Sequence, residues 1–123
     1  MASQGDVHIV TCNIGALSND FRPIFKVPSG WGGITILGAS YVTETAGTSS
    51  VSIVNAGTAG TAIEAGGTIF AGGSAAATAG VPVTMSAGDT AFVDDGYWVA
   101  VKEANIGTTG AITIVSLSYI MGK

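Results

Sequence analysis

Apolar and polar positions alternate along this chain in short runs, each bounded by glycine, proline, serine or aspartate, and no run has the length or caps of a helix. Residues 6–12 (DVHIVTC), 21–27 (FRPIFKV), 34–45 (ITILGASYVTET), 51–55, 61–65, 68–71 and 81–86 (VPVTMS) read as extended segments. Residues 91–93, 97–104 and 111–121 follow, and predict three consecutive antiparallel strands. Asp95-Gly96 supplies the two-residue signature of a type I′ hairpin, and 105–110 a longer glycine-containing loop. About eight strands with glycine-rich turns predict an all-β fold, an antiparallel β-sandwich that is jelly-roll-like. An immunoglobulin-like sandwich is the competing architecture, but its Cys…Trp…Cys spacing is absent. Residues 1–5 are small and polar, an arm ahead of a single domain over 6–123.

Several positions refine this picture. Pro23 cannot donate to a ladder, so its strand belongs at a sheet edge or carries a bulge. In 34–45 strict alternation puts Ile34, Ile36 and Val42 on one side and Leu37, Ala39 and Tyr41 on the other. Burial of both sides is therefore expected, with Gly38 as a possible bulge. In 97–104 an inward set of Tyr97, Val99 and Val101 leaves Trp98, Ala100 and Lys102 outward. In the last run Ile112 and Ile114 lie opposite Val115, Leu117, Tyr119 and Met121, so both faces want cover. Residues 56–80 are rich in Gly, Ala and Thr, and their scattered glycines disfavour a helix.

Composition changes the picture in one respect. Hydrophobic residues make up 47% of the 123, an ordinary share, but charged residues only 10%, against roughly 25% in a soluble domain. Charge is the usual guard on sheet faces and edges, so a chain this poor in it is expected to bury surface in an assembly. Glycine, serine and threonine interrupt every long apolar window, which argues against a membrane-spanning helix. The N-terminus lacks a basic region and a long apolar core, so no signal peptide is expected. Four Lys and Arg against eight Asp and Glu cannot form the basic face that nucleic acid requires.

Candidate chemistry is sparse. Cys12 is the sole cysteine and is expected as a reduced, buried thiol of a protein made in a reducing cytosol. His8 is the sole histidine, and in a strand it stands about 13 Å from Cys12, too far to share a zinc ion. The glycines of 57–67 lack the lysine and the strand–helix context of a phosphate loop. Asp89, Asp94 and Asp95 could offer oxygens to calcium, but aspartate in turns more often bonds the local backbone. Glu64 and Glu103 are unpaired by any spacing rule. No catalytic residue, metal site or cofactor is expected, and the chain is not expected to be an enzyme. Trp98, Trp31, Ile112, Ile114 and Tyr119 are the candidates for a subunit or partner interface, Trp98 above all because rigid aromatic area dominates interfaces.

In style the chain resembles the head decoration (cement) proteins of tailed bacteriophages. The resemblance runs through the polar arm, FRPIFKVPSGWGGITILGAS, the Gly/Ala/Thr-rich middle and AGDTAFVDDGYWVAVKEANIGTTGAITIVSLSYIMG. It implies a structural virion protein, made in the host cytoplasm, that binds the outside of the capsid lattice and stabilises it. It also implies two partners, the major capsid protein and the chain itself, as a homotrimer. The alternative function is a carbohydrate-binding or adhesin module, which would present an aromatic platform drawn from Trp31, Tyr97 and Trp98.

Overall fold

The computed structural model of this chain describes residues 6–16, 21–43, 50–60, 67–71, 80–88, 91–104 and 112–122. They form ten strands: β1 (His8–Ala16), β2 (Phe21–Lys26), β3 (Ile34–Thr43), β4 (Ser50–Asn55), β5 (Thr68–Ala71), β6 (Val83–Thr84), β7 (Ser86–Ala87), β8 (Phe92–Val93), β9 (Trp98–Ala104) and β10 (Ile112–Met121). The first sheet runs β1-β10-β3-β6, with β8 also pairing β3; the second runs β2-β9-β4-β5-β7. All pairings are antiparallel. The partners nest along the chain: β1 with β10, β2 with β9, β3 with β6, β4 with β5. The two packed sheets are the antiparallel β-sandwich the strand pattern predicts. The extended segment expected at 61–65 lies outside the described residues.

The closing meander does not form. β8 pairs β3 in the first sheet, β9 joins β2 and β4 in the second, and β10 returns to the first between β1 and β3. Asp95-Gly96 therefore lies in a crossing between sheets rather than in a hairpin. The Tyr97 N–H closes the turn on the Asp94 carbonyl at 3.2 Å, and Gly96 takes φ +81°. A local turn signal reports that the chain reverses, not which strands then pair. Residues 81–86 are likewise divided: β6 lies in the first sheet and β7 in the second. Met85 passes between them through the core and donates its N–H to the Ala39 carbonyl at 2.9 Å.

Expectation and structure differ most instructively in β3. Its pairing with β10 slips between Gly38↔Ser118 and Ile36↔Tyr119, which leaves Leu37 as an extra residue. A bulge of this kind turns two successive residues to the same side. Leu37 is exposed and Gly38 carries no side chain, so Ile34, Ile36, Ala39 and Tyr41 all face inward. Burial on both faces of β3 is thus unnecessary. One apolar cluster joins the sheets, with Ile34, Ile36, Tyr41, Val115 and Leu117 from one meeting Val51, Ile53, Ile69, Val99 and Val101 from the other. Full burial of each such aliphatic side chain contributes about 1.5–3 kcal/mol.

Candidate interaction surface

Among the described residues, the outward positions of the first sheet carry no charge. Register places Ile9, Ser118 and Gly38 in one row, Thr11, Ser116, Ser40 and Thr84 in the next, and Asn13, Ile114 and Val42 in a third. The middle row is a line of four hydroxyls across four strands. Within it Thr11 Oγ1 and Ser116 Oγ lie 3.3 Å apart. Around it Ile9 is 74% exposed, Leu37 49% and Ile114 41%. A shallow depression of about 260 Å³, lined among others by Ile9, Gly38, Ser40, Ser116 and Ser118, lies on this face. Of the predicted interface residues, Ile114 belongs here. The Ile112 side chain lies outside the described residues.

The outward side of the second sheet is partly covered by its own chain. Trp98, expected outward, does leave the main core, but it packs against a second cluster of Val54, Ala56 and Ala100 and is half-buried. The chain after β4 folds over it. Asn55 Oδ1 accepts the Gly57 N–H at 3.0 Å, the Gly60 N–H reaches the Ala56 carbonyl at 3.0 Å, and the Trp98 N–H reaches the Gly57 carbonyl at 2.9 Å. Gly60, at φ +73°, lies under the indole; a Cβ there would stand 3.1 Å from Cγ and Cδ1. Part of the glycine-rich segment thus lies close against the chain's own tryptophan.

Trp31 and Tyr119 meet at one end of the sandwich. Tyr119 is 8% exposed and is the centre of a ring cluster. His8 stacks on it at 5.3 Å between centroids, Trp31 stacks at 6.5 Å, and Phe25 tilts against it at 5.8 Å. His8 is therefore a packing residue, and its Nε2 has no hydrogen-bond partner among the described residues. All three rings of the imagined sugar platform, Trp31, Tyr97 and Trp98, are half-buried against the two clusters.

Asp95 is the residue that sequence reasoning undervalued. Its carboxylate accepts the N–H groups of Gly30 at 3.0 Å and Gly32 at 3.3 Å on Oδ2, and of Gly33 at 2.7 Å on Oδ1. The Gly33 amide does most to hold the carboxyl below the usual aspartate range; desolvation opposes it, and the Gly30 and Gly32 amides add to the lowering. The role is to latch the loop that carries Trp31. Asp94 does bond locally, its Oδ1 accepting the Asp95 N–H at 2.8 Å. Only the glycine spacing of SGWGG, which strings free amides together, hinted at a distant anion.

Cys12 is a free thiol packed against the core, but half-buried where full burial was expected, and desolvation raises its pKa. It lies in β1, whose one ladder partner among the described residues is β10. Among the described residues no group of three or more His, Cys, Asp or Glu could hold a metal ion. Among them too, no helix is long and apolar enough to cross a membrane.

No protein-family model and no curated protein matches this chain. A solved structure does resemble it, one described as the cyanophage Pam1 capsid asymmetric unit. The match covers 98% of this chain and 89% of that one, with a TM-score of 0.59 and 18% sequence identity. At that identity the likeness is one of fold.

Proposed function

We propose that this chain is a structural protein of a phage virion, which decorates the outside of the capsid and stabilises it as a homo-oligomer. The observation that carries the reading is the fold likeness, over nearly the whole chain, to a chain of a phage capsid unit. It agrees with the resemblance of the sequence to tailed-phage decoration proteins, and jelly rolls recur in viral capsids. Support also comes from the charge-free face of the first sheet, where exposed Ile9, Leu37 and Ile114 lie beside a row of hydroxyls. Such a face suits a lasting contact, since charged residues are depleted from interface cores. In this reading the major capsid protein is the partner, the oligomer is a trimer, and the interface draws on Ile112, Ile114 and the rim of Trp98. Trp31 and Tyr119 support the adjoining end from within.

Purified virions of the phage that encodes the chain provide the test. Mass spectrometry should find it at a fixed ratio to the coat protein, and cryo-electron microscopy should place it on the outer surface. Its absence from complete virions would refute the reading. Light scattering of the isolated chain at tens of micromolar tests the oligomer, and a monodisperse monomer would remove that part.

A further inference from the structure

Asp95-Gly96 is the one place in the sequence where glycine follows an aspartate or an asparagine. An Asp-Gly bond is the aspartyl bond most open to imide chemistry, because no side chain crowds the glycine nitrogen. In that reaction the Gly96 nitrogen, having lost its proton, attacks Cγ of Asp95. A C–N bond forms, a C–O bond of the carboxyl breaks, and water leaves. Water then reopens the ring at one of its two carbonyls. Opening at the side-chain carbonyl restores aspartate. Opening at the main-chain carbonyl leaves isoaspartate, with the chain running through Cβ. The sequence of steps needs no oxidant, metal or second protein.

The fold engages both reacting groups elsewhere. The Gly96 N–H donates to the Val27 carbonyl at 2.8 Å, which ties up the nucleophile. Both carboxylate oxygens accept amides of the loop between β2 and β3, Oδ2 those of Gly30 and Gly32 and Oδ1 that of Gly33. These bonds, that of Gly33 above all, keep the carboxyl ionised, and an ionised carboxylate has no neutral group to expel. Bulk does not protect the bond. A Cβ added at Gly96 would meet nothing within 4 Å, and Asp95 and Gly96 are only half-buried. Hydrogen bonds therefore do the protecting, and all four have their partners within residues 27–33. Trp31 seats that segment by stacking on Tyr119 and packing against the main core.

We infer that Asp95-Gly96 is a latent isomerisation site, held unreactive by the loop that carries Trp31 and reactive when that loop lifts. Lifting frees the carboxyl and the Gly96 amide together, since the same segment holds both. The product cannot be latched again. Isoaspartate lengthens the main chain by one carbon and attaches its carboxylate directly to Cα, too short an arm to reach the three glycine amides. Isomerisation thus turns a transient opening of the Trp31 loop into a permanent one.

The test follows isoaspartate at position 95 by peptide mapping and mass spectrometry, in the full-length chain kept warm at neutral pH for several weeks. The chain unfolded in guanidinium chloride gives the unlatched rate. The native chain should isomerise at least about tenfold more slowly, because reaction proceeds only from the opened fraction. Trp31→Ala unseats the loop, whereas Val51→Ala removes core volume at the other end of β9, where Val51 pairs with Glu103. Trp31→Ala should raise the native rate at least about threefold and Val51→Ala should leave it within about twofold, since local opening and global unfolding are separate routes. Urea midpoints check that both variants fold, and Trp31→Phe takes the place of Trp31→Ala if the latter does not. In the isomerised chain, once separated, the amides of Gly30, Gly32 and Gly33 should exchange hydrogen faster than in the parent. A native rate equal to the unfolded one overturns the proposal, because the four bonds then protect nothing. No acceleration by the Trp31 variant, or the same acceleration by Val51→Ala, overturns it as well, because protection then belongs to the fold as a whole. Unaltered exchange of the three glycine amides in the isomerised chain would show that the latch survives and would overturn the permanence.

Discussion

The two outer faces of the sandwich begin from similar strand patterns and end differently. On the second sheet the outward residues Val54 and Ala100 are buried, Trp98 lies against them, and the turn of residues 56–60 closes over the group. On the first sheet the outward residues Ile9, Leu37 and Ile114 stand in solvent beside a row of serine and threonine hydroxyls. The difference shows that outward apolar residues have two fates. Either the chain provides its own cover, which needs a glycine-rich turn able to approach closely, or the face is left as a flat, uncharged surface fit for a partner. In the first case substitutions should act on folding; in the second they should act on association.

The largest effect is expected on the covered face. Ala100→Asp buries an unpaired carboxylate beneath Trp98 and should cost about 3–5 kcal/mol. Gly60→Val, which forces a branched side chain into φ +73° beneath the indole, should cost about 2 kcal/mol or more. Both are read from urea midpoints, together with the Trp98 emission, which should move to longer wavelength. Equal stability in Gly60→Val would mean that the turn does not seat the tryptophan.

The end of the sandwich shared by both sheets offers a pH test. The Asp95 carboxyl titrates lower in the folded chain than in the unfolded chain, because three amides donate to it. Its contribution is therefore fully present above the unfolded value, about 3.9, and is lost as pH falls through the folded one. Asp95→Asn should lower the melting temperature at pH 7 and flatten its dependence on pH below about 4. An unchanged acid limb in the variant would show that other carboxylates set it.

The smallest effect on folding belongs to the bare face. Ser116→Lys should leave the stability of the isolated chain within about 0.5 kcal/mol, as surface substitutions do, while weakening self-association or capsid binding. If it destabilises the chain as much as Ala100→Asp, the two faces are not distinct, and the comparison fails.

What the sequence determined by itself was the class and the material of the surface. Short β-branched runs without helical caps made the fold all-β, and the poverty of charge marked surfaces that want cover, because both properties are local or simply additive. The inward set of β9 was legible from alternation, with Val99 and Val101 in the main core and Tyr97 packed against it, whereas for β10 alternation only separated two faces, and the fold chose Val115, Leu117 and Tyr119 for the core. Tertiary structure alone decided which strands became neighbours, because Asp95-Gly96 reverses the chain equally well within a sheet or between sheets. It alone decided that Leu37 would be the extra residue, since a bulge exists only relative to the register of a partner, here β10. It also turned Asp95 from a turn residue into the anchor of a loop some sixty positions away in sequence. And it gave Trp98 its cover: a run of small residues permits close approach to many things, and only the folded chain specifies that Gly60 meets this indole.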